Sequence, residues 1–574
     1  MRPATCDVPR ATCDVPRATC DVPRATCDVR RATCNSLPRR SATPNDARRR
    51  VPRATSWIAL CAVLVSSALL TAQNGLLTSA DILKPAPTTW PTYNGDYSGR
   101  RYSALKKITA SNVKHLSLAW LYDMSGGGAI KATPLHVNGV LYFSTPDHAY
   151  AVDARTGREQ WHYTWTRNRG GTHIGSRGVA VLGDSLYFLT PDCNLVALDV
   201  RTGREKWFKE ICSLEMMYFG SVAPVVIKDR LIFGPSGDDL DQPGYLDARS
   251  PANGDLIWRW FVVPQTKDDP GIETWPSLDM AKHGGGMTWQ PVTYDPELNL
   301  IYVTTGNPQP VIAYANREGA NLYTASIVAL NADTGKMVWY FQSSPHDTHD
   351  WDSTQTAVLI DGTIDGKPRK LIAQAARNGH FFVLDRTNGK AIVSTEFVKT
   401  NWASGYDERG QPIPNPAKRP QRDGALVTPN QAGATNWYSP SFSPDTGLFY
   451  VNANRAFSVY YIYDPGDNPM GWGGTDRGGY SEQGTVTAID YRTGKVRWSV
   501  PRYGPNSGLL STAGNVLFGS GSGGLQAYNA TTGEPLWHSR IGGISNGPIT
   551  YELDSLQYVI AGAGTRLAAF VMHE

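Results

Sequence analysis

One arrangement of apolar and polar positions recurs along the chain: an apolar strand ending in Asp or Asn, a Thr-Gly turn, and a short second strand ending in Trp. It reads YAVDARTGREQW to Trp161, VALDVRTGREKW to Trp207, YLDARSPANGDLIW to Trp258, VALNADTGKMVW to Trp339, AIDYRTGKVRW to Trp498 and LQAYNATTGEPLW to Trp537. A seventh copy, FVLDRTNGKAIV, has Val393 in place of Trp, and HLSLAW, ending at Trp120, is a closing strand with no hairpin before it. The glycine permits a positive-φ turn and the tryptophan covers the face between neighbours, so each copy predicts the last hairpin of a four-stranded unit. Units of roughly 40 to 50 residues that cannot bury a face alone must stack, and four-stranded units stack closed as a propeller. Eight closing strands predict an all-β, eight-bladed β-propeller of four-stranded antiparallel blades. Strands from Gln557 to Ile560 and from Arg566 to Val571 are expected to complete the blade that ends at Trp120, so that both termini close the ring. Longer intervals, Trp258 to Trp339 and Val393 to Trp498, leave room for insertions around one channel mouth, where function is expected.

Composition agrees with this reading: Gly 56, Pro 39, Trp 17 and Tyr 27, with 18% charged residues, suit short strands and turns rather than a helical bundle. The formal net charge of +4 shrinks once an Arg-rich leader is removed, which argues against a nucleic-acid partner. Residues 1–50 are of another kind. RATCDVP recurs with period seven and spaces Cys6, Cys13, Cys20, Cys27 and Cys34 equally, with no apolar face to bury. Proline in most copies forbids a continuous helix, so this stretch reads as disordered, or as a start codon assigned too far upstream, ahead of a metal-binding tail. Arg48 to Arg50 and Arg53, the apolar run from Trp57 to Leu70 and the small residues near Ala72 form a signal peptide over 51–72. The run is short for a membrane span, so cleavage near Ala72 and export to the periplasm are expected, an uncleaved anchor being the alternative. Residues 73–574 then form one propeller domain, with no membrane association after cleavage. Its two cysteines, Cys193 and Cys212, stand at mirror positions about the turn between Thr202 and Gly203. A cross-strand disulfide and a pair of free buried thiols both fit that placement. No CxxCH occurs, so the chain is read as carrying no c-type haem.

The Trp-and-Gly phrase, together with TYNGDYSGRRYSALKKITASNVKHLSLAW and GGGMTWQPVTYDPELNLIYVTTGNP, resembles the quinoprotein alcohol dehydrogenases, the methanol dehydrogenase-like enzymes that use pyrroloquinoline quinone (PQQ). The resemblance runs from about Trp90 to the end. It implies a periplasmic, metal-dependent dehydrogenase that oxidises a primary alcohol by hydride transfer to the quinone and passes electrons to an external cytochrome c. Asp239 of SGDDLDQPGY, where the family usually has Glu, and Asn307 of TTGNP match metal ligands. Asp350 of PHDTHDWDSTQT matches the carboxylate used beside the metal as catalytic base, and Asp352 matches the extra acid of relatives that use lanthanides. Oxygen donors with three carboxylates suit a hard cation, and lanthanide and Ca2+ both stay open. Trp289 of GGGMTW matches the indole on which the quinone lies, and Arg377 of AARNGH the arginine on its oxygens. Arg177 of GSRG and Ser236 of GPSGDD match groups on the PQQ carboxylates, and Asn436 with Trp437 of GATNWYSP matches another cofactor wall. A planar trianion needs this set of aromatic platform, fixed cations and metal. Two departures from the family matter. Gly171 and Thr172 stand where methanol dehydrogenases have a vicinal Cys-Cys pair, and Lys131 of AIKATPL stands where they have Glu. Lys131 either pairs with a cofactor carboxylate or marks a weakened site.

Plainer readings stand beside these. Asp153 and Asp199 are turn residues. Asp350 and Asp352 also read as a polar insertion loop with His346, Asp347 and His349, whose histidines lack a further His or Cys to complete a transition-metal site. The rival function is a non-catalytic propeller scaffold for outer-membrane assembly, which needs only the repeat. Asp239, Trp289, Asn307, Asp350 and Arg377 are not required by blade packing, and their joint presence favours the enzyme. A sugar or polyol dehydrogenase of the same fold shares the chemistry and differs in pocket loops.

Overall fold

A computed structural model describes residues 75–124, 126, 128–171, 175–237, 241–463 and 471–572. The expectations for residues 1–50 and 51–72, and for Thr172 and Asp239, therefore fall outside the described residues. Among these residues the chain forms seven four-stranded antiparallel sheets and an eighth in which four antiparallel strands are joined by a fifth in parallel, each ordered from a buried inner strand to a more exposed outer one. One such blade runs Leu135–Val137, Val140–Thr145, His148–Asp153 and Glu159–Thr164. Ring closure uses both ends of the domain: Leu116–Asp123 pairs with Arg566–Met572, which continues into Leu556–Ala563 and Ile549–Leu553. The C-terminal share is thus three strands, Ile549–Leu553 adding to the two expected. Tyr102–Ser103 joins the blade before that one, in parallel with Leu510–Thr512. Beside it the fully buried Arg101 donates to the carbonyl oxygens of Tyr93, Leu509 and Pro548, tying the seam together.

The recurring phrase is the contact between blades. Asp153 and Asp199 each accept the backbone N–H groups of the residues two and three positions on, which makes them turn residues. Gly203 has φ +68°, and a Cβ there would lie 2.6 Å from the Trp161 indole of the preceding blade. Trp161 Nε1 donates to the Val200 carbonyl at 3.1 Å, so the indole lies flat over the next Thr-Gly turn and bonds its backbone. Trp258 and Trp498 repeat the arrangement against Gly335 and Gly533. Where the phrase lacks its tryptophan, Val393 meets Gly494 instead. Cys193 and Cys212 form a disulfide with Cα atoms 5.1 Å apart, which resolves the choice left open by their spacing.

In a four-stranded meander, the link from the outer strand to the next blade and the hairpin between second and third strands emerge at the same end. The two long intervals add their insertions to such connections. The first holds the helix Leu278–Lys282. The second holds the hairpin Ala403–Tyr406 with Pro412–Pro414 and a three-stranded sheet of Ala425–Val427, Ala456–Ile462 and Gly474–Ser481.

Candidate active site

That topology explains why residues distant in sequence meet. Lys131, Arg177, Trp289, the pair Asp350 and Asp352, and the pair Asn436 and Trp437 all lie on links shortly before an innermost strand. Arg377 lies on a hairpin between the strands Lys367–Ala375 and His380–Asp385. All eight line one cavity of about 340 Å³, together with Gly175, Gln431 and Trp472.

At one end of the cavity a single guanidinium serves two carboxylates. Arg377 Nη2 donates to Asp350 Oδ2 at 2.8 Å and Nη1 to Asp352 Oδ2 at 2.6 Å. Arg377 is itself held by the Gln431 carbonyl, which accepts from Nε at 3.0 Å and Nη2 at 2.7 Å. The Gln431 amide also donates to Asp350 Oδ2 at 2.8 Å. Asn307 stands behind this pair: its backbone N–H donates to Asp352 Oδ1 at 2.8 Å, and its amide donates to the Pro308 carbonyl at 3.2 Å. The expected amide ligand is therefore adjacent to the acidic pair without lining the cavity.

Two further cations, Arg177 and Lys131, line the same cavity. The Arg177 guanidinium lies 4.4 Å from the Trp289 ring centre and 5.3 Å from that of Trp437. Arg177 Nη1 donates to Ser221 Oγ at 2.5 Å, and Ser221 Oγ is 2.6 Å from Ser236 Oγ. Ser236, buried at 1% exposure, is thus one hydroxyl removed from the arginine rather than part of the wall. The Lys131 side chain passes over Gly175, where a Cβ would stand 2.5 Å from Lys131 Cδ. Burial, then the neighbouring Arg177, lowers the Lys131 pKa. Gly171, which replaces one cysteine of the family's pair, has no room for any side chain, since a Cβ there would be 2.1 Å from the Pro191 carbonyl.

The histidines near the acidic pair are structural. His346 Nδ1 meets the Gly319 carbonyl at 2.6 Å and His349 Nε2 the Lys418 carbonyl at 2.9 Å. Burial lowers their pKa values to about 3 and about 4, so both rings are neutral. Among the described residues no three His, Cys, Asp or Glu side chains converge as a metal cluster, and Asp239, the third carboxylate expected there, is not among them. Sequence reasoning missed Gln431 and Trp472. Both come from the long insertion, and neither carries a charge or a repeat position that would mark it.

The family model described as the glucose/ethanol/alcohol dehydrogenase β-propeller domain, abbreviated PQQ, matches residues 90–423. Residues 482–571 match the model of outer membrane protein assembly factor BamB. The chain is 40% identical over 516 residues to a quinohemoprotein alcohol dehydrogenase of Comamonas testosteroni, covering 83% of this chain and 72% of that protein. It is 36% identical over 519 residues to the 1-butanol dehydrogenase (cytochrome c) of Thauera butanivorans, covering 83% and 74%. A europium-containing methanol dehydrogenase superposes with a TM-score of 0.79 at 28% identity, covering 85% of this chain and 99% of that one. The blade repeat, the cavity these residues share and these similarities place the chain in the PQQ-dependent quinoprotein alcohol dehydrogenase family.

Proposed function

We propose that this chain oxidises primary alcohols in the periplasm with PQQ and a hard cation, Ca2+ or a lanthanide, and hands the electrons to an external cytochrome c. The observation that carries the reading is the convergence of Asp350, Asp352 and Arg377 with Trp289, Arg177 and Lys131 on one cavity. Blade packing alone does not call for that set, and a scaffold that shares only the repeat has no use for it.

The residues present fit both groups. Two carboxylates side by side, with Asn307 next to one of them, are hard oxygen donors suited to such a cation. The Trp289 indole and three cationic side chains suit a flat polyanion. When bound, the quinone supplies the two-electron acceptor for the carbinol hydride and the metal supplies the Lewis acid that activates it.

The chain supplies position and the proton acceptor. Asp350 takes the proton of the substrate hydroxyl, with its carboxylate oriented by the Arg377 and Gln431 N–H groups. Arg377, anchored on the Gln431 carbonyl, fixes the spacing of the two acids. Trp437 and Trp472 wall the cavity and limit water around the reacting atoms. The acceptor named for the Thauera butanivorans relative supports cytochrome c as the electron outlet. The leader read at residues 51–72 supports export.

Reconstitution of the purified protein with PQQ and either Ca2+ or La3+ tests this. Dye-linked turnover on primary alcohols, cytochrome c reduction and presence in the periplasmic fraction are expected. Turnover confined to sugars, or none with any metal, contradicts it.

A further inference from the structure

The turn that carries both cavity carboxylates is closed by a third acid outside the cavity wall. Asp347 is buried at 4% exposure. Its Oδ2 accepts the Trp351 backbone N–H at 2.9 Å and its Oδ1 that of His349 at 3.4 Å. These two N–H groups flank Asp350, whose φ is +65°, a left-handed conformation that costs a residue with a Cβ about 1 kcal/mol or more. The Trp351 N–H also lies between Asp350 and Asp352 in the chain, so one carboxylate oxygen governs the backbone that presents both.

The bracket is fixed from outside. Arg317, fully buried, donates to the Asp347 carbonyl at 2.6 Å, to the Pro310 and Val311 carbonyls at 2.7 Å each, and to Asn321 Oδ1 at 2.9 Å. Trp351 Nε1 donates to the Asn430 carbonyl at 3.0 Å, one residue before Gln431. The Tyr460 hydroxyl donates to the His349 carbonyl at 3.3 Å. The strained turn is thus held between Arg317 on one side and the three-stranded insertion on the other, and the Asp347 side chain bridges its backbone from within.

We propose that Asp347 is a positioning residue for the Asp350 and Asp352 pair: by holding the 347–351 turn closed it sets the separation at which both acids reach Arg377 and Asp350 faces the substrate. This rests on the alcohol dehydrogenase reading above. Asp347 touches no reacting atom, so its removal acts on how often the pair is aligned rather than on whether the cavity fills.

The test compares Asp347→Ala and Asp347→Asn with the wild type after loading with PQQ and whichever of Ca2+ and La3+ supports wild-type turnover, loading being measured by the quinone absorbance retained. A misplacement of catalytic groups by about 1 Å costs on the order of 100-fold. Asp347→Ala is therefore expected to lose about 30- to 100-fold in kcat per loaded site, with KM within about twofold and a larger deuterium isotope effect on 1,1-dideuterated alcohol. Asn can still accept the Trp351 N–H, so Asp347→Asn is expected to fall between. Should Asp347→Ala fail to fold, Asp347→Asn decides alone. A kcat per loaded site within twofold of wild type, or a loss confined to loading, overturns the proposal. A crystal structure of the variant reads the geometry without activity: Asp350 still left-handed with both Arg377 contacts intact overturns it as well. A wild type that is inactive when loaded with PQQ and either Ca2+ or La3+ removes the functional reading itself, which is a different result from an active wild type with unaffected variants.

Discussion

The guanidinium of Arg177 lies over the indole of Trp289, 4.4 Å from its ring centre. A cation held against an aromatic face is attracted by the ring quadrupole, and here the same group is tethered to Ser221. A flat anion using Trp289 as a platform therefore meets a positive charge already at the edge or face of that platform.

Arg177→Gln removes this charge and is expected to weaken PQQ binding by about 10- to 100-fold, since a hydrogen bond to a charged group contributes about 1.5–3 kcal/mol. Calorimetric titration of the metal-loaded apoprotein checks it. Unchanged affinity takes Arg177 out of the cofactor site.

Lys131 gives a pH signature. Burial and Arg177 lower its pKa beneath the ordinary 10.5. Between the lowered value and 10.5 the unfolded chain holds more protons than the folded one, so this group makes stability rise with pH across that window. Cofactor affinity runs the opposite way, because an anion favours the charged lysine. PQQ affinity is expected to decline as pH rises through the lowered pKa, and Lys131→Met is expected to abolish that decline. Parallel pH profiles for the two proteins contradict the assignment.

Arg377 is the counter-charge of two buried acids. Arg377→Ala leaves them facing each other, with a loss of about 3–5 kcal/mol in stability. Ca2+ or La3+ replaces the missing charge and is expected to raise the Tm of the variant more than that of the wild type. Thermal unfolding with and without the metal reads this directly. Equal metal-induced shifts in both proteins contradict it.

Gly203→Ala tests the blade contact. The added Cβ meets the Trp161 indole at 2.6 Å from a left-handed backbone. Overpacking of this kind costs about 1–3 kcal/mol, and strain at positive φ adds to it. A Tm unchanged within a degree means that the indole moves aside without loss.

The architecture was legible because its central contact repeats. Six of the repeat tryptophans, from Trp120 to Trp498, lie against the turn glycine of the next blade, so the phrase that recurs in the chain is the same set of atoms that stacks the blades. Ile549–Leu553 was not foreseen, since an innermost strand carries none of that phrase. The site was legible only through motifs with a family resemblance. Nothing periodic marks Asp350 or Arg377, which meet because links and hairpins emerge at one end of the blades. Gln431 and Trp472 were illegible for a related reason: their contacts depend on how the three-stranded insertion folds back on the cavity. Ser236 reaches the cavity's arginine only by way of the Ser221 hydroxyl, a relation that no sequence motif displays. The choice at Cys193 and Cys212 needed the actual distance between their backbones.

The most direct measurement is alcohol turnover per PQQ-loaded site for the wild type, Asp350→Ala and Asp352→Ala, each with Ca2+ and with La3+. Asp350→Ala is expected to lose turnover with either metal while staying folded, and Asp352→Ala to lose mainly the lanthanide-supported activity. Retained turnover in Asp350→Ala contradicts its role as the proton acceptor, and with it the chemistry assigned to the cavity.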